Sequence, residues 1–195
     1  MARKTFRTVP YRRKRDKATD YKKRRNLLVS GKTRLVVRRS NKHIIAQLVQ
    51  YKDTGDKVIK AAHSQDLAKF GWKAATGSVP AAYLTGYLLG MRAKGDVSEA
   101  ILDMSMYTSV KGSRIYAVAK GFREAGIGLP ASDEVFPDDD RCAGKHIETY
   151  AASLKEKDAS AYEKRFSAVI KQGADPAALS EQVSSVKEKI TNDAK

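Results

Sequence analysis

A chain of 195 residues that is 42% hydrophobic holds enough apolar material for one sizeable core, most simply one body with additions, since domains cluster near ~100 to 150 residues. Its sole cysteine, Cys142, excludes an internal disulfide framework and reads as an inert thiol suited to a reducing compartment. The formal charge of +16 is gathered at one end: residues 1–42 carry seventeen of the 38 Lys and Arg residues against only Asp16 and Asp20, a local +15, while the rest of the chain is nearly neutral.

Such a distribution predicts a basic arm joined to an ordinary body, and an arm of that kind suits a polyanion. Met1 to Pro10 has no apolar run of the secretory type, and no lipidation motif follows Met1-Ala2-Arg3. Residues 1–25 mix Arg and Lys with Phe6, Tyr11 and Tyr21 and show no apolar stripe, so alone they are expected to be disordered or partly helical, with order supplied by a partner. Gly31-Lys32-Thr33 ends like a phosphate-binding P-loop, but the required earlier glycine is Asn26, and the reading is a turn before the first strand.

From Thr33 the texture becomes β-rich. Leu35-Val36-Val37 and His43 to Tyr51 form two runs joined by Ser40-Asn41, and Asp53-Thr54-Gly55-Asp56 turns the chain into a third run, Lys57 to Ala62. Two tight connections predict a three-stranded antiparallel meander. Ser64 is placed as the cap of a short helix through Leu67 and Phe70 that stops at Gly71.

The uncharged stretch Ala74 to Met91 approaches membrane-spanning length, but Thr76, Gly77, Ser78, Pro80 and Thr85 interrupt it, and it reads as a loop followed by a buried helix bearing Ala81, Leu84, Leu88 and Leu89. Gly86 and Gly90, four apart, are expected to let that helix press closely on a sheet. Val97 to Met104 reads as a strand, and Ser113 as the cap of a helix with Ile115, Val118, Ala119 and Phe122, closed at Gly126. The fold class is therefore α/β: a mixed sheet beginning with the meander, with helices on its faces. Past Pro130 an irregular segment with Asp138-Asp139-Asp140 leads to three amphipathic helices, around Ile147 to Leu154, Tyr162 to Ile170 and Leu179 to Ile190, packed on the body or on a neighbour. The expected divisions are 1–32, 33–130 and 131–195.

Catalytic chemistry finds little support. His43, His63 and His146 are isolated in sequence and lack metal-ligand spacing. The three adjacent aspartates point in different directions and read as a solvated loop or a docking point for basic neighbours. Ser113 lacks the glycines of a nucleophile elbow, and Asp103 is a single acid at a strand end. No catalytic residue, metal, cofactor or small-molecule substrate is expected.

The arm is different. Arg3, Lys4, Arg7, Arg12, Arg13, Lys14, Arg15, Lys17, Lys22, Lys23, Arg24 and Arg25 supply forks and point charges for phosphates, and Tyr11 and Tyr21 can stack on unpaired bases. Charge continues into Arg34, Arg38, Arg39 and Lys42. If ~8 of these cations displaced counterions, log K against log[salt] would slope by on the order of −6 to −7. No amphipathic insertion face exists within the arm, which disfavours a membrane partner. Charge alone does not choose RNA over DNA.

Several segments together choose further: Thr19-Asp20-Tyr21, Leu27-Leu28, Ser30 to Arg38, Ser40-Asn41-Lys42-His43-Ile44 with Ala46-Gln47, Gly71-Trp72, Ala82 to Gly86, Leu102-Asp103, Gly112-Ser113-Arg114, and Ala125-Gly126 followed by Pro130. In order and spacing they resemble the ribosomal large-subunit protein eighteen family in its archaeal form, related to eukaryotic large-subunit protein five, over about the first 150 residues. The resemblance implies a non-enzymatic constituent of the cytoplasmic large ribosomal subunit. Such a protein would bind 5S rRNA, help attach it to 23S rRNA and neighbour other proteins of the central protuberance. It also implies a topology like the ribonuclease H motif, whose enzymes need carboxylates on a first strand that here carries positive charge instead.

By the same resemblance, Lys32 and the residues around Ser40, Asn41, Lys42 and His43 would meet RNA beside the arm, with Arg38 and Arg39 adjacent. Ser113 and Arg114 would hold a phosphate at a helix start. Ser78 departs from the asparagine associated with relatives, so nothing is carried onto Thr76-Gly77-Ser78. The rival readings are an RNA-processing nuclease, which needs a metal-binding acid cluster including Asp103, and a DNA-compacting protein, which would bind duplex DNA and ribosomal RNA equally.

Overall fold

The computed structural model describes residues 9–193. Strands β1 (Thr33–Arg39), β2 (Ile44–Gln50) and β3 (Lys57–His63) form the expected antiparallel meander. Because strand neighbours alternate, Leu35↔Leu48 and Val37↔Ala46 share one face, while Arg34↔Val49, Val36↔Gln47 and Arg38↔Ile45 share the other. Strand β4 (Ala100–Asp103) lies parallel to β1, completing a mixed sheet of order β3-β2-β1-β4.

β4 is shorter than the Val97 to Met104 run predicted. Upstream of Ala100 the chain leaves β1: Glu99 bridges Gly128 in parallel, with Gly128 N–H donating to Ser98 O at 2.9 Å and Ala100 N–H to Gly128 O at 2.9 Å. Hydrogen bonding there goes to the segment after the next helix instead.

A seven-residue 3₁₀ turn, Ser64–Phe70, follows β3 and stops at Gly71, whose φ of +91° only glycine adopts readily. Its cap is His63, not Ser64. His63 Nδ1 accepts from Gln65 N–H while Asp66 accepts from His63 N–H, and Ser64 is fully buried with its hydroxyl accepting from Ile44 N–H at 3.0 Å. Ser64 therefore ties the start of β2 to the end of β3.

The loop–helix reading of Ala74 to Met91 holds: Ser78 caps helix α3 (Val79–Ala93), and every residue from Pro80 to Gly90 is buried. Its glycines press on a helix, not on the sheet. A Cβ on Gly86 would lie 2.0 Å from Val118 O, and one on Gly90 2.4 Å from Ala125 Cβ. Both partners belong to helix α4 (Arg114–Glu124) or its C-cap, and α4 returns the arrangement: a Cβ on Gly121 would lie 2.1 Å from Tyr83 O. Backbone-to-backbone contact between two helices leaves no room for any side chain at these crossings. The apolar sheet face, α3 and α4 enclose one core containing Leu35, Val37, Leu48, Leu84, Leu89, Val118 and Phe122.

The C-terminal part is helical as expected: α5 (Asp139–Ala143), α6 (Lys145–Lys157), α7 (Ala159–Lys171) and α8 (Leu179–Asp193). Leu179, Val183, Val186 and Ile190 of α8 are buried in the same core, whereas α7 has no fully buried residue and only its half-buried Val169 packs against that core. The aspartate run acts within the chain: Asp139 pairs with Lys120 at 2.6 Å and Asp140 with Lys145. Cys142 is buried, which pushes its thiol up to about 11, as suits an inert packing residue. Among the described residues no helix is long and apolar enough to cross a membrane.

Candidate nucleic-acid interface

The arm forms two short helices, α1 (Arg12–Arg15) and α2 (Tyr21–Val29), neither with a buried residue. Asp20 caps α2, accepting from Lys23 N–H at 3.0 Å. Tyr11 stacks against Tyr21 with ring centroids 5.3 Å apart, and Arg13 Nε donates to Thr19 Oγ1 at 2.8 Å, so the two helices are held together. Arg12, Arg13, Lys14, Arg15, Lys17, Lys22 and Arg25 are all exposed. Arg3, Lys4 and Arg7 lie outside the described residues.

Lys23 and Arg24 face the body. Lys23 Nζ donates to Ser105 O at 3.2 Å, and Arg24 grips Asp56 through two contacts of 2.9 Å, which lays α2 across the polar face of the sheet. Lys32, on the turn made by Gly31 at φ +66°, pairs with Glu99 and is exposed.

Arg34 does not sit on the cationic surface. It is 2% exposed, with Nη1 3.1 Å from Asp103 and Nη2 2.7 Å from Asp56. Strand alternation points it under α2, away from the exposed cations of the row, and two carboxylates meet it there. Asp103 is consumed by this pair and by accepting from Ser105 N–H at 2.8 Å, so the acid that a nuclease's metal-binding cluster would include is paired with a guanidinium. Among the described residues no group of three or more His, Cys, Asp or Glu could hold a metal ion. Arg38 reaches only carbonyls, Val37 O at 2.9 Å and Asp103 O at 3.4 Å, and burial lowers its guanidinium from the ordinary value. Arg39 points the other way, its guanidinium 4.9 Å above the Tyr107 ring, and is exposed.

A second basic patch forms at the end of the sheet, where three chain segments meet. Ser40 and His43 close the β1–β2 turn on each other, with His43 N–H donating to Ser40 Oγ at 2.9 Å, and this leaves Asn41 and Lys42 exposed at its tip. Thr76 Oγ1 donates to Lys42 O at 2.7 Å and lies 3.1 Å from His43 Nδ1. A Cβ on Gly77 would stand 2.7 Å from Asn41 O, so glycine there permits the two loops to touch. Arg114 Nη1 donates to Gly77 O at 2.9 Å and reaches Ser40 O at 3.4 Å, pinning the start of α4 to both.

Arg114 thus acts first as a clamp within the chain. Gly112 and Ser113 spend their N–H groups on Val135 O and Val110 O, whereas Ser113 Oγ makes no cap bond, so the donors left at this helix start are those of the first turn of α4 itself. Gln65 Nε2 lies 3.3 Å from His43 Nε2 and Tyr107 OH donates to Arg39 O at 2.8 Å, and sequence reasoning places neither of them, nor Thr76 and Gly77, in this patch. Only Gly77, flanked by hydroxyl residues within an uncharged stretch, carries a signal of close approach. His43 and His63, isolated in sequence, lie with rings 5.2 Å apart.

Against known proteins, the model of the family described as ribosomal large subunit proteins 60S L5 and 50S L18 matches residues 4–100. The large ribosomal subunit protein uL18 of Methanococcus maripaludis is 48% identical over 185 residues, 94% of this chain and 95% of that one. The uL18 of Korarchaeum cryptofilum is 48% identical over 192 residues, 98% and 97% of the two chains.

Proposed function

The chain belongs to the family of ribosomal large-subunit proteins 60S L5 and 50S L18, and from that premise we propose that it binds 5S rRNA and helps attach it to 23S rRNA in the central protuberance. Membership makes it a structural constituent of the large subunit of the cytoplasmic ribosome, with rRNA as its partner and no enzymatic step. The observation that carries the finer reading is the exposed cationic surface of residues 12–25, on which seven Lys and Arg side chains face solvent and no acid but Asp16 and Asp20 intervenes.

The work divides among three parts. The arm, residues 1–32, tracks the phosphate backbone with Arg12, Arg13, Lys14, Arg15, Lys22 and Arg25, while Tyr11 and Tyr21 offer ring faces to splayed bases. The body, 33–130, fixes register through the patch of Ser40, Asn41, Lys42, His43 and Arg114. Residues 131–195 meet neighbouring proteins. The sheet order β3-β2-β1-β4, with Glu99 bridging Gly128 beyond β4, supports a ribonuclease H-like topology whose first strand, Thr33–Arg39, carries no carboxylate.

Titration of labelled 5S rRNA against transfer RNA and duplex DNA of equal length, at physiological salt, tests this. Tighter binding to 5S rRNA is the expected result. Equal affinity for all three would reduce the protein to a general polyanion binder and overturn the assignment.

A further inference from the structure

Between α2 and the polar face of the sheet lies a cavity of about 620 Å³. We propose that it is an anion site that takes a phosphate group on a nucleotide-sized unit; where the phosphate belongs to RNA, this rests on the RNA-binding reading above.

Charge is unbalanced within the walls. Five cations line the cavity, Arg13, Lys23, Arg24, Arg34 and Arg38, against three carboxylates, Asp20, Asp56 and Asp103. Every carboxylate is already engaged: Asp20 caps α2, Asp56 holds Arg24 and Arg34, and Asp103 holds Arg34 and the Ser105 amide. Among the described residues, three of the cations have only neutral acceptors. Arg38 touches two carbonyls, Lys23 one carbonyl and Arg13 the Thr19 hydroxyl.

The most deeply placed of the five adds an independent sign. Arg34 Nε is fully buried and finds no acceptor among the described residues; Nη1 donates to Asp103, while Nη2 lies 2.7 Å from Asp56 without a well-aligned hydrogen bond. A buried donor without a partner is costly, on the order of 1 to 3 kcal/mol. Surplus positive charge, a half-buried guanidinium free of carboxylates and an orphan N–H together call for an anionic oxygen. Arginine forks match tetrahedral phosphate better than a point charge would. Val36, Val49 and Val58 on the sheet and Leu27 on α2 add apolar lining, and the volume exceeds that of a lone phosphate, so a sugar or base edge fits beside it.

The test uses RNA-free, full-length protein at fixed ionic strength, with inorganic phosphate titrated calorimetrically. Saturable binding at one site is expected, weakened about tenfold or more in Arg38→Gln, which removes one charge-assisted hydrogen-bonding group, and unchanged in Lys94→Ala at the far end of α3. Arg34 is avoided because its removal strands Asp103 and leaves Asp56 with Arg24 alone.

Adding 5S rRNA to the phosphate-loaded protein then identifies the source. Release of phosphate assigns the cavity to an RNA backbone phosphate, and retention assigns it to a free anion; either supports the site. Absence of saturable phosphate binding, or equal weakening by Arg38→Gln and Lys94→Ala, overturns it. The two readings fail separately: 5S rRNA bound without a phosphate site sinks only the cavity, and phosphate bound without 5S rRNA affinity sinks only the assignment of function.

Discussion

Removing the guanidinium of Arg34 would leave Asp103 buried without a counter-charge and Asp56 with Arg24 alone. Breaking one side of a buried pair costs about 3 to 5 kcal/mol, far more than an exposed ion pair. Arg34→Leu is accordingly expected to lower unfolding free energy by about that amount in urea titration. A decrease under about 1 kcal/mol would mean that water reaches these carboxylates.

Asp56 carries a pH signature of the same network. Burial alone would raise its carboxyl, but hydrogen bonds from Arg24 and Arg34 outweigh burial and hold it below the ordinary 3.8. A depressed value in the folded state means that its contribution is whole above the unfolded value and drains away as pH falls through the folded one. Thermal stability should therefore drop below about pH 4, and Asp56→Asn should flatten that acid limb while lowering the neutral plateau. An unchanged acid limb would place the titrating group elsewhere. None of this was visible in the sequence: Arg34 stands in a basic row, and the acids that claim it arrive from a turn 22 positions on and from a strand 69 positions on.

At the scale of elements, short-range signals were legible and long-range targets were not. Alternating apolar residues around Ser40-Asn41 and Asp53 to Asp56 announced the meander, because turn chemistry and strand period are both local. The spacing of Gly86 and Gly90 announced a close approach, but the approaching surface, α4 with its own Gly121, is set by how the crossover packs. The cap of the 3₁₀ turn moved from Ser64 to His63 for a similar reason, since the Ser64 hydroxyl serves Ile44 on another strand.

The arm shows the same split: its cations were legible, whereas the division into outward-facing and body-facing sets was not. That division makes two deletions distinguishable. Removing residues 1–19 takes away Arg12 to Arg15 and leaves α2 tied to Asp56 and Ser105. RNA affinity should fall and the salt slope become shallower by roughly 0.7 to 0.9 for each phosphate no longer neutralised, while the melting curve of the body is kept. Removing residues 1–29 should also lower the melting temperature, because it exposes Val36 and Val49 beneath α2. An unchanged salt slope in the shorter deletion would shift the main RNA contact to the patch at Lys42.

For the molecule as a whole, the far end of the chain closes what the middle begins. α8 lies against α3, Tyr87 OH meets Thr191 Oγ1 at 3.0 Å, and Lys187 Nζ reaches both Tyr83 OH at 2.6 Å and Glu124 at 3.0 Å, joining three helices at one point. The row Leu179, Val183, Val186 and Ile190 was legible as an amphipathic face, but a face does not name what it covers.

Here it covers the common core, and each such side chain contributes about 1.5 to 3 kcal/mol when buried. Four of them amount to about 6 kcal/mol even at the low end, comparable with the 5 to 15 kcal/mol that holds an ordinary domain together. Truncation after Ala174 should therefore abolish cooperative unfolding in circular dichroism, although every arm cation and the whole Ser40 to His43 turn remain. Residual RNA binding by such a fragment should be weak and should no longer separate 5S rRNA from transfer RNA, because the cations stay attached while the register that the body imposes disappears. A truncated protein that melts sharply near the full-length temperature would show that α3 and α4 hold the core without α8.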